Sequence, residues 1–109
     1  MIEIRHYVSR AGRDIFQEWL WSLNDKRTQE KIAARVSRLE VGNFGDCKPL
    51  GQGLWELRID WGPGYRIYYA IVGKELVLLV SGGDKRRQSA DIELALDYLR
   101  DYRERNQKL

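Results

Sequence analysis

LWELRIDWGPGYRIYY, residues Leu54 to Tyr69, decides the fold of this chain, and GGDKRRQ, Gly82 to Gln88, extends its meaning. Two runs of alternating apolar and polar residues flank a Gly-Pro-Gly turn, the pattern of an antiparallel pair of strands with one buried side. Side chains alternate faces along a strand, so Trp55, Leu57 and Ile59 share one side of the first run while Glu56, Arg58 and Asp60 share the other. The second run repeats this, with Tyr65, Ile67, Tyr69 and Ile71 set against Arg66, Tyr68 and Ala70. If the apolar sides meet in one core, even-numbered residues pair with even-numbered ones, and Arg58 faces Arg66 or, two positions away, Tyr68.

A third strand, Glu75 to Ser81, follows a tight turn at Gly73-Lys74. With Val72 and Glu75 flanking a two-residue hairpin, Arg66 is expected opposite Ser81 and Tyr68 opposite Leu79. Two guanidinium groups and a phenol then share a small patch on an exposed sheet face. Like charges at such range repel, and a bound anion such as phosphate relieves the repulsion. The alternative is an ordinary solvated ladder in which Glu56 and Asp60, on the same face, neutralise the arginines.

Working outward, Ile2 to Tyr7 reads as a first strand. From about Arg13 the period changes, and Ile15, Phe16, Trp19, Leu20 and Leu23 recur at helical spacing. Asn24-Asp25 interrupts the pattern and caps a second helix running to about Glu40, with Ile32, Val36 and Leu39 on its buried stripe and Gly42 as its stop. The short connection makes the two helices an antiparallel hairpin. Lys31, Arg35 and Arg38 form a basic i, i+4, i+7 row on the second helix, which is a solvated face or an RNA contact. Asn43 to Gly53, punctuated by glycines and Pro49, reads as a loop. The third strand is apolar on both faces, which argues for cover on both sides at least in part. Ser89 is expected to cap a final helix carrying Ile92, Ala95, Leu96, Leu99 and Tyr102, and residues 103–109 to form a frayed polar tail. The order strand, helix, helix, three strands, helix specifies an α+β sandwich with its helices on one sheet face.

The 109 residues fit a single domain, and 43% hydrophobic with 32% charged residues is ordinary for a globular protein. No long uncharged apolar run and no signal-peptide pattern is present, so a cytoplasmic protein without membrane contact is expected. The single cysteine, Cys47, excludes an internal disulfide and a cysteine-rich metal site. His6, the one histidine, reads as a strand-packing residue. A net charge of +3 permits a nucleic-acid partner without requiring one.

Taken in order, WLWSL, GNFGDCKPLGQGLWELRID, GPGYRIYY, GGDK and the DIELA helix start resemble the RelE/ParE superfamily of toxins from bacterial toxin–antitoxin pairs, specifically its HigB-like or addiction module killer branch. The resemblance covers nearly the whole chain. It implies a RelE-like single domain with an N-terminal strand, a helical hairpin, a three-stranded antiparallel meander and a C-terminal helix. It also implies a metal- and cofactor-independent endoribonuclease that cleaves mRNA on the translating ribosome, restrained by a small helix-turn-helix antitoxin. Arg86 and Arg87 depart from the family pattern, which commonly has small hydroxyl residues after GGDK.

The implied chemistry is attack of a ribose 2′-hydroxyl on the adjacent phosphorus. Arg66 and Arg58 suit a phosphate clamp, because planar guanidinium groups bind oxyanions in bidentate fashion. Lys85 adds charge or transfers a proton, and Tyr68 stacks on a base, orients the attacking hydroxyl or passes a proton. Arg86, Arg87, Lys31, Arg35 and Arg38 are the candidate RNA and ribosome contacts. The general acid and base have no sequence-level assignment. Two other readings stand beside this one: a non-enzymatic poison of DNA gyrase, as in ParE-type relatives, and an inactive remnant that binds its antitoxin.

Overall fold

Two aspartates start the N-terminal helices in the computed structural model, which describes residues 1–107. Asp14 accepts from the Gln17 N–H at 3.0 Å and opens α1 (Ile15–Ser22), and Asp25 accepts from the Arg27 N–H at 3.1 Å and opens α2 (Lys26–Leu39). Gly42, at φ +80°, stops α2 by donating to the Leu39 carbonyl. Before them lies β1 (Glu3–His6). After them come β2 (Cys47–Gly51), β3 (Leu54–Ile59), β4 (Tyr65–Val72) and β5 (Leu76–Asp84), then a 3-10 turn (Lys85–Arg87) and α3 (Gln88–Arg105).

The strands form one five-stranded sheet in the order β1-β5-β4-β3-β2, antiparallel throughout except where β1 lies parallel to β5. The architecture is α+β, as the element order requires, but the helices do not share a face. Phe16 of α1 and Ile32 and Leu39 of α2 bury against Leu57, Ile59, Ile67 and Tyr69 on one side. Ala95 and Leu99 of α3 bury against Leu54, Tyr68, Ala70, Leu78 and Val80 on the other. The two-sided apolar pattern of β5 required this cover: its alternate residues belong to different cores, and each large side chain removed from water contributes about 1.5–3 kcal/mol.

Three further expectations are corrected. The Asn43–Gly53 segment is not all loop, since Cys47–Gly51 pairs antiparallel with β3. Pro49 disguises the strand, and it is tolerated because β2 is the sheet edge, where a missing N–H leaves no central ladder unpaired. The β4–β5 turn takes three residues rather than two, so Val72 pairs with Leu76, and a register shift between Tyr68 and Tyr69 then puts Tyr68 opposite Ser81 and Arg66 opposite Gly83. Ser89 does not cap α3. Asp84 caps the preceding turn instead, accepting from the Arg86 N–H at 2.9 Å.

Residues 103–105 of the expected frayed tail are helical, and Arg103 donates to the Gln52 carbonyl at 2.7 Å; residues 108–109 lie outside the described residues. Among the described residues no helix is long and apolar enough to cross a membrane.

Asp101 ties this last stretch of α3 to the N-terminal segment. It accepts from the Tyr7 hydroxyl at 2.6 Å, from Arg10 at 2.6 Å and from Arg105 at 2.8 Å. These donors, the Tyr7 hydroxyl foremost, hold the Asp101 carboxyl down at about 2. A depressed folded-state value means the contribution to stability is complete above the ordinary 3.8 and is lost as pH falls toward 2. Asp101→Asn is therefore expected to lower the melting temperature at neutral pH and to flatten its decline across that acid window. Thermal melts of both proteins from pH 7 down to pH ~2 check this.

Candidate functional site

Three cross-strand rows define the sheet face beneath α3. Leu54–Ala70–Leu78 is apolar, Glu56–Tyr68–Ser81 is polar, and Arg58–Arg66–Gly83 carries the charge. The helix begins across this face. Gln88 reaches Glu56 on β3, and Asp91 lies so close over Gly83 on β5 that a Cβ there would strike its carboxylate. Gly82 faces the other way and is similarly closed by the Trp19 indole. The two glycines of GGDK thus let helices on opposite faces approach the end of β5.

The face is not the open surface expected from its alternation. Glu56 and Tyr68 are fully buried under α3, while Arg58 and Arg66 remain half-buried at the edge of its cover. These arginines and Lys85 line a cleft of about 560 Å³ with Asp46, Asp60 and the Gly62–Gly64 turn. The Lys85 N–H donates to the Gly64 carbonyl at 2.9 Å, which fixes the lysine's backbone against the opposite wall. Direct pairing of Arg58 with Arg66 was one of the two sequence-derived registers, and it is the observed one.

Neither Glu56 nor Asp60 neutralises the arginines by an ion pair among the described residues. Asp46 does so for Arg58, accepting at 2.7 Å from Nη2 and 3.2 Å from Nε, and raises the guanidinium's pKa. Arg66 keeps a buried Nε without a hydrogen-bond partner among the described residues. The positive charge of the cleft is thus concentrated on Arg66 and Lys85, with Arg58 held in place beside them. Asp46 escaped the sequence reading because it sits in the stretch read as loop, where nothing but the β2–β3 pairing places it beside Arg58.

Tyr68 lies beneath the cleft rather than in its lining. Its hydroxyl is buried with no hydrogen-bond partner among the described residues, and burial, reinforced by Glu56 and Asp91, pushes its pKa far up. Asp91 is itself raised by burial. Arg86 folds back on Asp84 at 2.9 Å and holds that carboxyl below its ordinary value, while Arg87 is exposed beside it.

The basic row of α2 borders a second cleft of about 360 Å³ that shares Ile59 and Asp60 with the first. Its members differ in freedom. Lys31 lies 4.6 Å from the centre of the Trp61 ring, Arg35 donates to the Arg58 carbonyl at 3.3 Å, and Arg38 is exposed. Trp61 also donates to the Thr28 hydroxyl at 3.0 Å, so the β3–β4 turn is pinned to the start of α2. His6 stands apart, with Nδ1 2.8 Å from Asp14 Oδ2 and its ring edge-on to Phe16. Among the described residues no group of three His, Cys, Asp or Glu side chains is placed to hold a metal ion. What the cleft can do chemically is grip an oxyanion with two guanidinium groups and an ammonium.

Residues 18–100 match the family model described as phage derived protein Gp49-like (DUF891), a span that includes every residue of the cleft. An uncharacterized protein of Haemophilus influenzae is 49% identical to this chain over 80 residues, covering 73% of this chain and 81% of that protein.

Removing the Tyr68 hydroxyl deletes a buried polar atom that has no partner among the described residues. Tyr68→Phe is accordingly expected to be neutral or to stabilise by about 1 kcal/mol, since an unpaired buried hydroxyl forfeits its hydration with no return. Chemical denaturation measures it, and a loss of more than about 1 kcal/mol would show that the hydroxyl is paired in solution.

Proposed function

The chain belongs to the phage-derived Gp49-like family, and we propose that it is the toxin of a type II toxin–antitoxin pair, of the RelE/ParE kind, that cleaves mRNA on the ribosome. The observation that carries this reading is the pairing of Arg58 directly opposite Arg66, opening with Lys85 into one cleft. Sheet formation alone disfavours like charges in cross-strand register. A bridging phosphate removes that penalty, and the two-cation grip matches the charge that builds on a phosphoryl oxygen during transfer.

In the proposed reaction the 2′-oxygen bonds to phosphorus as its proton leaves, the bond to the 5′-oxygen breaks, and that oxygen takes up a proton. Arg66 and Arg58 hold the phosphate and Lys85 adds charge. With Tyr68 buried, proton transfer falls to Lys85 or to groups on the ribosome, which also positions the strand. Arg86, Arg87, Lys31 and Arg38 are exposed cations suited to ribosomal RNA. Arg35 is largely committed to backbone carbonyls and serves the site by bracing β3 against α2. The setting is the cytoplasm, and the restraining partner is a helix-turn-helix antitoxin.

Induced expression should arrest growth, and co-expression of the adjacent partner should relieve it. Pulse-labelling in the first minutes should show protein synthesis falling before DNA synthesis, with new RNA ends inside translated messages. DNA synthesis stopping first on intact messages would replace this target with gyrase, and no arrest at confirmed soluble expression would leave an inactive antitoxin-binding remnant.

Arg66→Ala should abolish the arrest while shifting stability by no more than about 1 kcal/mol, because loss of a transition-state donor raises a barrier by roughly 2.7–4 kcal/mol. A fully toxic Arg66→Ala protein with an unchanged melt would remove Arg66 from the site.

A further inference from the structure

Glu56 is the one carboxylate among the described residues that is fully buried. Burying a charge is expensive, and apolar residues of similar volume commonly serve a fold as well or better. Its neighbours in the row do not explain it: the Tyr68 hydroxyl and Ser81 Oγ lack hydrogen-bond partners among the described residues, and so does Glu56 Oε1. Among the described residues the carboxylate takes one hydrogen bond, accepting from Gln88 Nε2 at 2.6 Å through Oε2. Gln88 is the first residue of α3 and directly follows the turn that carries Lys85, Arg86 and Arg87.

Other ties hold that turn as well. Asp84 accepts from both the Arg86 N–H and the Arg86 guanidinium, and the Lys85 N–H donates to the Gly64 carbonyl. They act at its start. Its far end is held to the sheet by Gln88 alone among these ties, through a charge-assisted hydrogen bond whose acceptor sits at the positive end of α3.

We infer that Glu56 is a positioning residue for the cleft: its buried carboxylate clasps Gln88 and thereby holds the Lys85–Arg87 turn against the sheet beside Arg66. The inference rests on the proposed RNA-binding role for its consequence, though not for its geometry. Losing the clasp frees the far end of the turn and spreads its three cations over more arrangements, which weakens any anion held against Arg66. Neither Glu56 nor Gln88 touches the substrate in this account.

The experiment compares Gln88→Ala, Glu56→Leu, the double variant and Glu56→Gln in the full chain. Amide hydrogen exchange at residues 85–88 and affinity for a fluorescent oligouridylate are the two readouts. Each of the first two variants is expected to speed exchange in the turn, and to weaken binding, by about tenfold or more, as loss of a hydrogen bond to a charged group does, while exchange in β4 stays as in the parent. The double variant should be no worse than either single one, because both remove the same bond. Glu56→Gln keeps a carbonyl acceptor for Gln88 and should restore most of both readouts.

Unchanged exchange at residues 85–88 in Gln88→Ala would overturn the inference, as would additive losses or a Glu56→Gln protein as impaired as Glu56→Leu. Should Glu56→Leu fail to fold, Gln88→Ala, altered at a half-buried helix start, still decides. If the parent binds no oligouridylate, the proposed function loses its ligand while exchange in the turn judges the clasp separately.

Discussion

The antiparallel register of β3 on β4 is the constraint from which the rest of the structure follows. It sets Leu57 against Ile67 and Ile59 against Tyr65 on the side that receives α1 and α2, and in the same stroke sets Glu56 against Tyr68 and Arg58 against Arg66 on the side that receives α3. A slip of one residue would send every side chain of one strand to the wrong face, mixing the apolar set packed under α1 and α2 with the polar and charged rows. Core and cleft are therefore specified together. The apolar residues that hold the register against slippage are also what keeps two guanidinium groups opposed, so the repulsion between them is sustained by burial elsewhere in the same strands.

How charge is shared in the cleft depends on exposure. The Arg58–Asp46 pair is open to solvent on both sides, where ion pairs are weak and screened by salt. It orients Arg58 more than it neutralises it, and a polyanion can compete with Asp46 at little loss. Arg66, with Nε shielded and unpaired among the described residues, offers its charge in a less polar setting. The two arginines thus contribute differently to one grip.

Local signals in the sequence carried much of this. Alternation in residues 54–71 named the faces, the change to helical spacing found α1 and α2, and Asp25 and Gly42 marked ends that the structure keeps. Strand logic narrowed the partner of Arg58 to Arg66 or Tyr68, of which the structure takes Arg66, while Lys85 was singled out through the family resemblance. What escaped depended on tertiary pairing. Pro49 concealed an edge strand because its acceptability depends on a partner on one side only. The three-residue turn and the shift at Tyr68 were invisible because either count of turn residues satisfies the local pattern, yet together they move Arg66 from Ser81 to Gly83. The side taken by α3 was missed because the arginine row looks solvated until Leu54, Ala70 and Leu78 are recognised as a second apolar set on the same face. Gln88 carried no signal at all, since its meaning lies in a glutamate 32 positions earlier.

The parallel pairing of β1 with β5 has a consequence for the chain as it is being made. Residues 3–6 emerge from the ribosome first, yet their partners at 76–79 emerge some seventy residues later. Until then the opening strand has no ladder to join. Sheet closure is a late, long-range event of the kind that slows folding. The cleft matures later still, because Lys85 and the Gln88 hold both lie beyond β5. A nascent chain therefore holds both arginines before the third cation is added 19 residues after Arg66, and the grip on an anion is completed only when the segment beyond β5 is also outside the exit tunnel.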